Sequence, residues 1–221
     1  IGGPVIKNGI ELVGTDSKGK IEGKIIKKDE KIFIDFKREI DRGTSLTFKM
    51  NFKEDNDYIQ SCYLDNRLGV WNALKVAENL EEGIIVFSCW EEHGGGSVGF
   101  LTNFIHTKYN INKALISDIT WVTEGVKAGE GVAISLRDSG IPRRKYINKI
   151  VKLAKESNIN FQLEVESSGG SDGNEIQKSP YPIDWCFIGA PEQNVHSPKE
   201  KVHKNDIQSM VDIYKYLMER L

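Results

Sequence analysis

Gly83-Ile84-Ile85-Val86-Phe87-Ser88-Cys89-Trp90-Glu91-Glu92 holds the apolar run Ile84–Phe87 and then turns acidic. A short apolar run bounded by turn-forming residues is the pattern of a strand buried on both faces. The stretch predicts a strand over 83–90, inside a covered sheet, with two carboxylates leaving its carboxyl end. The same pattern recurs downstream at Ala114–Ile119, Val132–Leu136, Phe161–Val165 and Trp185–Ile188, and upstream at Tyr58–Leu64.

Helical spacing separates these runs. Leu68, Trp71, Leu74 and Ala77 follow the first strand, and a helix is expected from Ser97 to His106 after a Gly-rich turn. Ile147, Ile150, Val151 and Ala154 repeat at helical intervals, with Pro142 expected in the first turn of that helix. Ile207, Met210, Val211, Tyr214, Leu217 and Leu221 give the clearest stripe. Strands alternating with helices imply an α/β fold: a mostly parallel sheet with helices on both faces.

Before residue 60 the pattern differs. Ile10–Val13, Ile21–Ile26, Ile32–Phe36 and Leu46–Phe52 read as short strands divided by turns such as Asp41-Arg42-Gly43. The expected organisation is a small β-barrel-like domain over 1–60 and an α/β core over 61–221. A chain of 221 residues with 39% apolar content can bury a core of that size.

The formal net charge of -2 offers no general attraction for nucleic acid or an anionic membrane, and neither is expected as a partner. No apolar run approaches the roughly 20 residues needed to span a bilayer, and no signal-peptide pattern stands at the start. Cys62, Cys89 and Cys186 are widely spaced and odd in number, which reads as reduced thiols and a cytoplasmic location.

In open α/β sheets chemistry gathers beyond the carboxyl ends of the strands. Asp65, Glu91-Glu92 and Asp118 each end an expected strand, and His196 follows the last. Taken singly, each is more often a helix cap, a solvated charge or a packed histidine. Their joint placement gathers carboxylates that repel one another unless a cation neutralises them. Carboxylates with one imidazole suit zinc, cobalt or manganese better than calcium. A carboxylate left over beside the cation can act as a general base.

Five motifs carry a family resemblance: Leu64-Asp65-Asn66-Arg67-Leu68-Gly69, Trp90-Glu91-Glu92-His93-Gly94, Ile116-Ser117-Asp118-Ile119-Thr120, Gly169-Gly170-Ser171-Asp172-Gly173, and Gly189-Ala190-Pro191 with His196-Ser197-Pro198. In this order they resemble the glutamyl aminopeptidase and endoglucanase-M type dinuclear metallopeptidases, from about Gly9 onward. The resemblance implies that Asp65 bridges two metals, Glu92 and His196 complete one site, Asp118 belongs to the other, and Glu91 is the general base. It implies hydrolysis of N-terminal residues from short peptides by a homo-oligomer. Arg67 is expected to orient a carboxylate, and Asp172 to cap a helix or brace the site.

The sequence departs from the family in three ways. The family's His-x-Asp motif ahead of the small β-domain has no counterpart, since no histidine precedes His93. The second metal is therefore expected to lack one ligand, leaving two metals in the family and one or two here. His93 replaces an apolar residue, and Gly94-Gly95-Gly96 makes the following turn unusually glycine-rich. Two other readings stay open on sequence: a deacylase of small N-acyl substrates, and a non-catalytic binding or assembly subunit.

Overall fold

The computed structural model describes residues 3–221. Its first sheet takes β1 (Glu11–Asp16), β2 (Gly19–Lys28), β3 (Lys31–Asp35) and β4 (Leu46–Phe48), in the order β3-β2-β1-β4 and antiparallel throughout. Strand β2 alternates strictly, burying Ile21, Gly23 and Ile25 between exposed Lys20, Glu22 and Lys24. Asp29 and Glu30 link β2 to β3, both with positive φ (47° and 63°). That pairing of conformations matches the right-handed twist of the strands it joins. The expected barrel does not close: β3 and β4 are the two edges of an open sheet.

The second sheet has seven strands. Along β5 (Lys53–Glu54), β6 (Tyr58–Ser61), β11 (Glu200–His203), β10 (Asp184–Gln193), β8 (Val132–Arg137) and β9 (Phe161–Val165) neighbours are hydrogen-bonded, and β7 (Lys113–Trp121) also lies along β10. The strands before residue 60 therefore divide between the two sheets.

The larger sheet is mixed, which corrects the expectation of a mostly parallel one. β7–β10 and β8–β9 run parallel, whereas β8–β10, β10–β11, β11–β6 and β5–β6 are antiparallel. An apolar run reports burial on two faces and carries no information on direction. β10, buried along nearly its whole length, pairs both ways.

Helices cover both faces, as expected. Cys186, Ile188 and Ala190 of β10 join a core with residues of α1 (Leu64–Ala77), α3 (Arg144–Ser157) and α5 (Lys204–Met218). Trp185 and Phe187, pointing the other way, pack on Val98 of α2 (Val98–Tyr109) and Ile176 of α4 (Asp172–Lys178). The period-2 alternation of one strand thus serves two cores.

Two sequence expectations fail locally. Residues 84–88 form no strand: none of their backbone groups pairs with another described residue. Pro142 lies ahead of α3, whose cap is Arg143, rather than in its first turn. None of the described helices is long and apolar enough to cross a membrane.

Candidate metal centre

The acidic residues of the site come from three elements: α1, a 3-10 turn and β7. Asp65 lies at the start of α1, where the backbone is not yet helical (φ -75°, ψ 112°) and the Asp65–Asn66 peptide is cis. Asn66 fixes this bend from both sides. Its Nδ2 donates to the Ser117 carbonyl at 2.9 Å, and its Oδ1 accepts the Gly69 N–H at 2.9 Å. Gly69 lets α1 settle on β7, because a Cβ there would stand 2.2 Å from the Ser117 carbonyl oxygen.

Glu91 and Glu92 sit on a single 3-10 turn, Glu91–His93, entered through Trp90 in the left-handed region (φ 66°). Asp118 lies on β7 opposite Gly189 of β10, where a Cβ would meet the Asp118 carbonyl oxygen at 2.7 Å. His196 follows β10 and is itself left-handed (φ 59°). Tyr63, just before α1, shares that conformation (φ 62°). Left-handed backbone costs a non-glycine residue roughly 1–2 kcal/mol, and at Tyr63, Trp90 and His196 it re-aims the chain where the functional side chains leave it.

Three of the expected ligands converge. His196 Nε2 stands 3.1 Å from Asp65 Oδ2 and 3.5 Å from Glu92 Oε2. One donor atom from each lies within 4.8 Å of the others, a grouping able to hold a metal ion. One imidazole with two carboxylates is the donor chemistry of a divalent transition metal. Asp118 falls outside that grouping. It is close enough to Asp65, Glu91 and Asp172 for their charges to act on it.

The electrostatics report the crowding. Burial first, then the Glu92 charge, pushes the Asp65 carboxyl up to about 6. Burial, followed by the charges of Glu92, Asp172 and Asp65, raises Glu91 to about 7. Burial and the Asp65 charge hold Asp118 well above its ordinary value. Carboxylates packed this way resist ionisation until positive charge arrives.

The sequence model of the M42 glutamyl aminopeptidase family matches residues 21–213. The chain belongs to this family. A curated protein of Acetivibrio thermocellus, named “Putative aminopeptidase”, is 31% identical over 169 residues, which cover 71% of this chain and 50% of that protein. The chain therefore spans about half the length of that relative. Among solved structures, an aminopeptidase of the archaeon Desulfurococcus kamchatkensis superposes with a TM-score of 0.86 at 23% identity, over 100% of this chain and 72% of that one. The Pyrococcus horikoshii TET1 peptidase, described as assembling into a tetrahedron or a large octahedral shell, gives 0.81 at 24% identity, over 99% of this chain and 75% of that one.

In this M42 chain the remaining motif residues take quieter places. His93 is exposed and outside the cluster. Arg67 lies over the Tyr63 ring, 5.9 Å from its centroid, and pairs with no carboxylate among the described residues, contrary to expectation. Asp172 accepts the Ser88 hydroxyl and braces the segment leading to Glu91. The cap of α4 is Ser171, its hydroxyl accepting the Gly173 N–H.

Sequence reasoning missed Glu200 and Glu192. Glu200, fully buried, accepts the N–H groups of Leu64 and Asp65. Glu192, 1% exposed, has neither carboxylate oxygen partnered. Glu200 was signalled only by an acid two residues past Pro198, and no local pattern marks Glu192.

Proposed function

We propose that this chain is the catalytic core of a metal-dependent aminopeptidase acting on short peptides. The observation that carries the reading is a spare carboxylate. Glu91 lies one residue from Glu92, within electrostatic reach of Asp65 and His196, and outside the Asp65–Glu92–His196 grouping. Membership of the M42 family and the names of its relatives support the same reaction class.

In this reading Asp65, Glu92 and His196 hold one divalent metal, and Asp65 with Asp118 provides carboxylates for a second, with zinc, cobalt or manganese as the fitting ions. When bound, the metal supplies Lewis acidity for the scissile carbonyl and acidifies the attacking water. Glu91 takes the water proton on its carboxylate and returns it to the departing amine nitrogen. A carboxyl poised near neutrality is matched to both halves of that transfer. His196 and Asp65 orient one another through their 3.1 Å contact. Asp172, through Ser88, holds the backbone ahead of Glu91.

We also propose a cytoplasmic homo-oligomer. The three cysteines are unpaired, which suits a reducing compartment, and the Pyrococcus neighbour is described as a large shell.

Glu91→Gln tests the mechanism. It should abolish turnover of an unblocked dipeptide amide while metal content stays at the wild-type level. Full activity in that variant would remove Glu91 from the reaction. Equal cleavage of the N-acetylated substrate by the wild type would replace the aminopeptidase reading with a deacylase.

A further inference from the structure

Strand β9 ends the larger sheet, and its outer edge is bare. It pairs with β8 alone, and no backbone N–H or carbonyl of residues 161–165 is bonded to any other described residue. Exposed edge strands are ordinarily guarded by lysine, proline or a projecting charge. β9, Phe161-Gln162-Leu163-Glu164-Val165, has no such guard. Gln162 turns back onto the Lys127 and Gly131 carbonyls, and Glu164 is buried against Thr120. The strand instead presents Leu163, 44% exposed, and Val165, 65% exposed. Residues two apart share a face of a strand, so these two form one apolar strip.

Beside this edge, on the α3 side, runs an open groove of about 530 Å³. Leu136, Val151 and Leu163 line it with apolar surface, and Arg144, Lys152 and Lys155 with positive charge. Helix α3 carries Arg144, Lys145, Lys149, Lys152 and Lys155 against one acid, Glu156, in a chain whose net charge is -2. Of the three groove cations only Lys152 has an acidic neighbour among the described residues, Glu156 at 3.9 Å. The positive charge is therefore local and largely uncompensated. At about 1.5 Å of rise per residue, Arg144 and Lys155 stand about 16 Å apart along the helix. An extended chain covers that span in about five residues.

A bare edge binds an extended backbone through main-chain hydrogen bonds, and the neighbouring side chains select its sequence. We propose that the outer edge of β9 and the α3 groove form a docking site for an acidic, extended segment of another protein. Such a segment adds one strand to the sheet and sets apolar side chains on Leu163 and Val165. Carboxylates near its two ends reach Arg144, Lys152 and Lys155. A second copy of this chain fits poorly, because pairing β9 with β9 antiparallel would bring two α3 helices together, cation against cation. Nucleic acid would meet the charge but leave the strand edge and its apolar strip unused. Ile119 faces the α3 core, so alternation turns Asp118 to the other side of the sheet. The docking site is separate from the candidate metal centre, and the proposal does not depend on turnover.

The test is titration of the 221-residue chain with a labelled peptide, Glu-Thr-Val-Thr-Leu-Thr-Glu, acetylated and amidated, followed by hydrogen–deuterium exchange at saturation. Binding should weaken by roughly tenfold or more when lysine replaces both peptide glutamates. Exchange at residues 161–165 should slow by roughly tenfold or more. Lys152→Glu combined with Lys155→Glu should weaken the acidic peptide and strengthen the lysine one. No binding at millimolar peptide, or equal binding of the two peptides, would overturn the proposal. Undiminished binding of a fully N-methylated version, which has no main-chain donors, would do the same. Slowing at β9 that rises with protein concentration in the absence of peptide would give the edge to a second copy. A short single-stranded oligonucleotide that binds α3 more tightly than the peptide would make this face a nucleic-acid surface. Each of these last two results would also refute the proposal.

Discussion

Glu200 accepts the backbone N–H of Leu64 at 2.6 Å, and its same oxygen lies 3.3 Å from the N–H of Asp65. This fastens β11 to the point where α1 begins and Asp65 is presented. A helix start leaves backbone donors without intrahelical partners, and here a buried carboxylate from the far end of the chain supplies the acceptor.

Removing that acceptor should loosen Asp65. Glu200→Ala is expected to weaken metal binding by roughly 10- to 100-fold, as loss of a group that orients a ligand does. It should also cost about 1–3 kcal/mol of stability through the unsatisfied donors. Glu200→Gln, which keeps a carbonyl oxygen, should lose less on both counts. Calorimetric metal titration and urea melts measure the two effects, and unchanged affinity in Glu200→Ala would show that Asp65 is held by other contacts.

Metal content should divide the acidic residues. Elemental analysis after reconstitution with zinc or cobalt should find metal lost in both Asp65→Ala and His196→Ala. Asp118→Ala should retain the ion held by Asp65, Glu92 and His196. Loss of all metal in Asp118→Ala would mean that the ion held by Asp65, Glu92 and His196 also depends on Asp118.

The raised carboxyls fix a sign for pH dependence. Asp65 at about 6, and Glu91 and Glu200 at about 7, lie above their ordinary range near 4. A folded state that favours the protonated acid keeps its full stability below the unfolded values. It loses stability as pH rises through the folded ones. In chelator, the melting temperature should therefore fall between about pH 5 and pH 7.5. Added zinc should raise it, and by more at the upper end, because metal and protons compete for the same oxygens. A chelated protein with a flat profile over that window would contradict the burial seen at the site.

Gly69→Ala probes the seating of α1 on β7. The new Cβ would stand 2.2 Å from the Ser117 carbonyl oxygen, a backbone atom that cannot swing aside. Overpacking of this kind costs typically about 1–3 kcal/mol, and displacement of α1 should carry Asp65 with it. Denaturant melts and metal titration should both shift; a neutral substitution would show that the helix can slide without cost.

The sequence made much of this legible where burial and chemistry coincide. The β2 alternation, the apolar runs of β7, β8, β9 and β10, and the α5 stripe all mark elements that the structure contains. Asp65, Glu92 and His196 were legible because each follows or flanks an apolar run, whether or not that run pairs as a strand. Strand direction was not legible, since β8 and β7 read alike yet run opposite ways against β10. Short elements such as β5, β11 and α4 were missed because two to seven residues hold too little periodicity. Ile84–Phe87 was read as a strand from composition alone, and pairing is a property of neighbours that composition does not contain. Glu192 and Glu200 escaped because burial of an acid contradicts its residue type.

The histidine and the aspartate that meet at 3.1 Å belong to residues 196 and 65, so most of the chain lies between them. A cation gripped by both would work as a removable clasp across that long loop. It would stabilise the folded chain by holding its two halves in register, as a cross-link does. Chelation would then unfasten the architecture as well as silence the chemistry, and proteolysis in the apo state should begin in the stretch the clasp encloses.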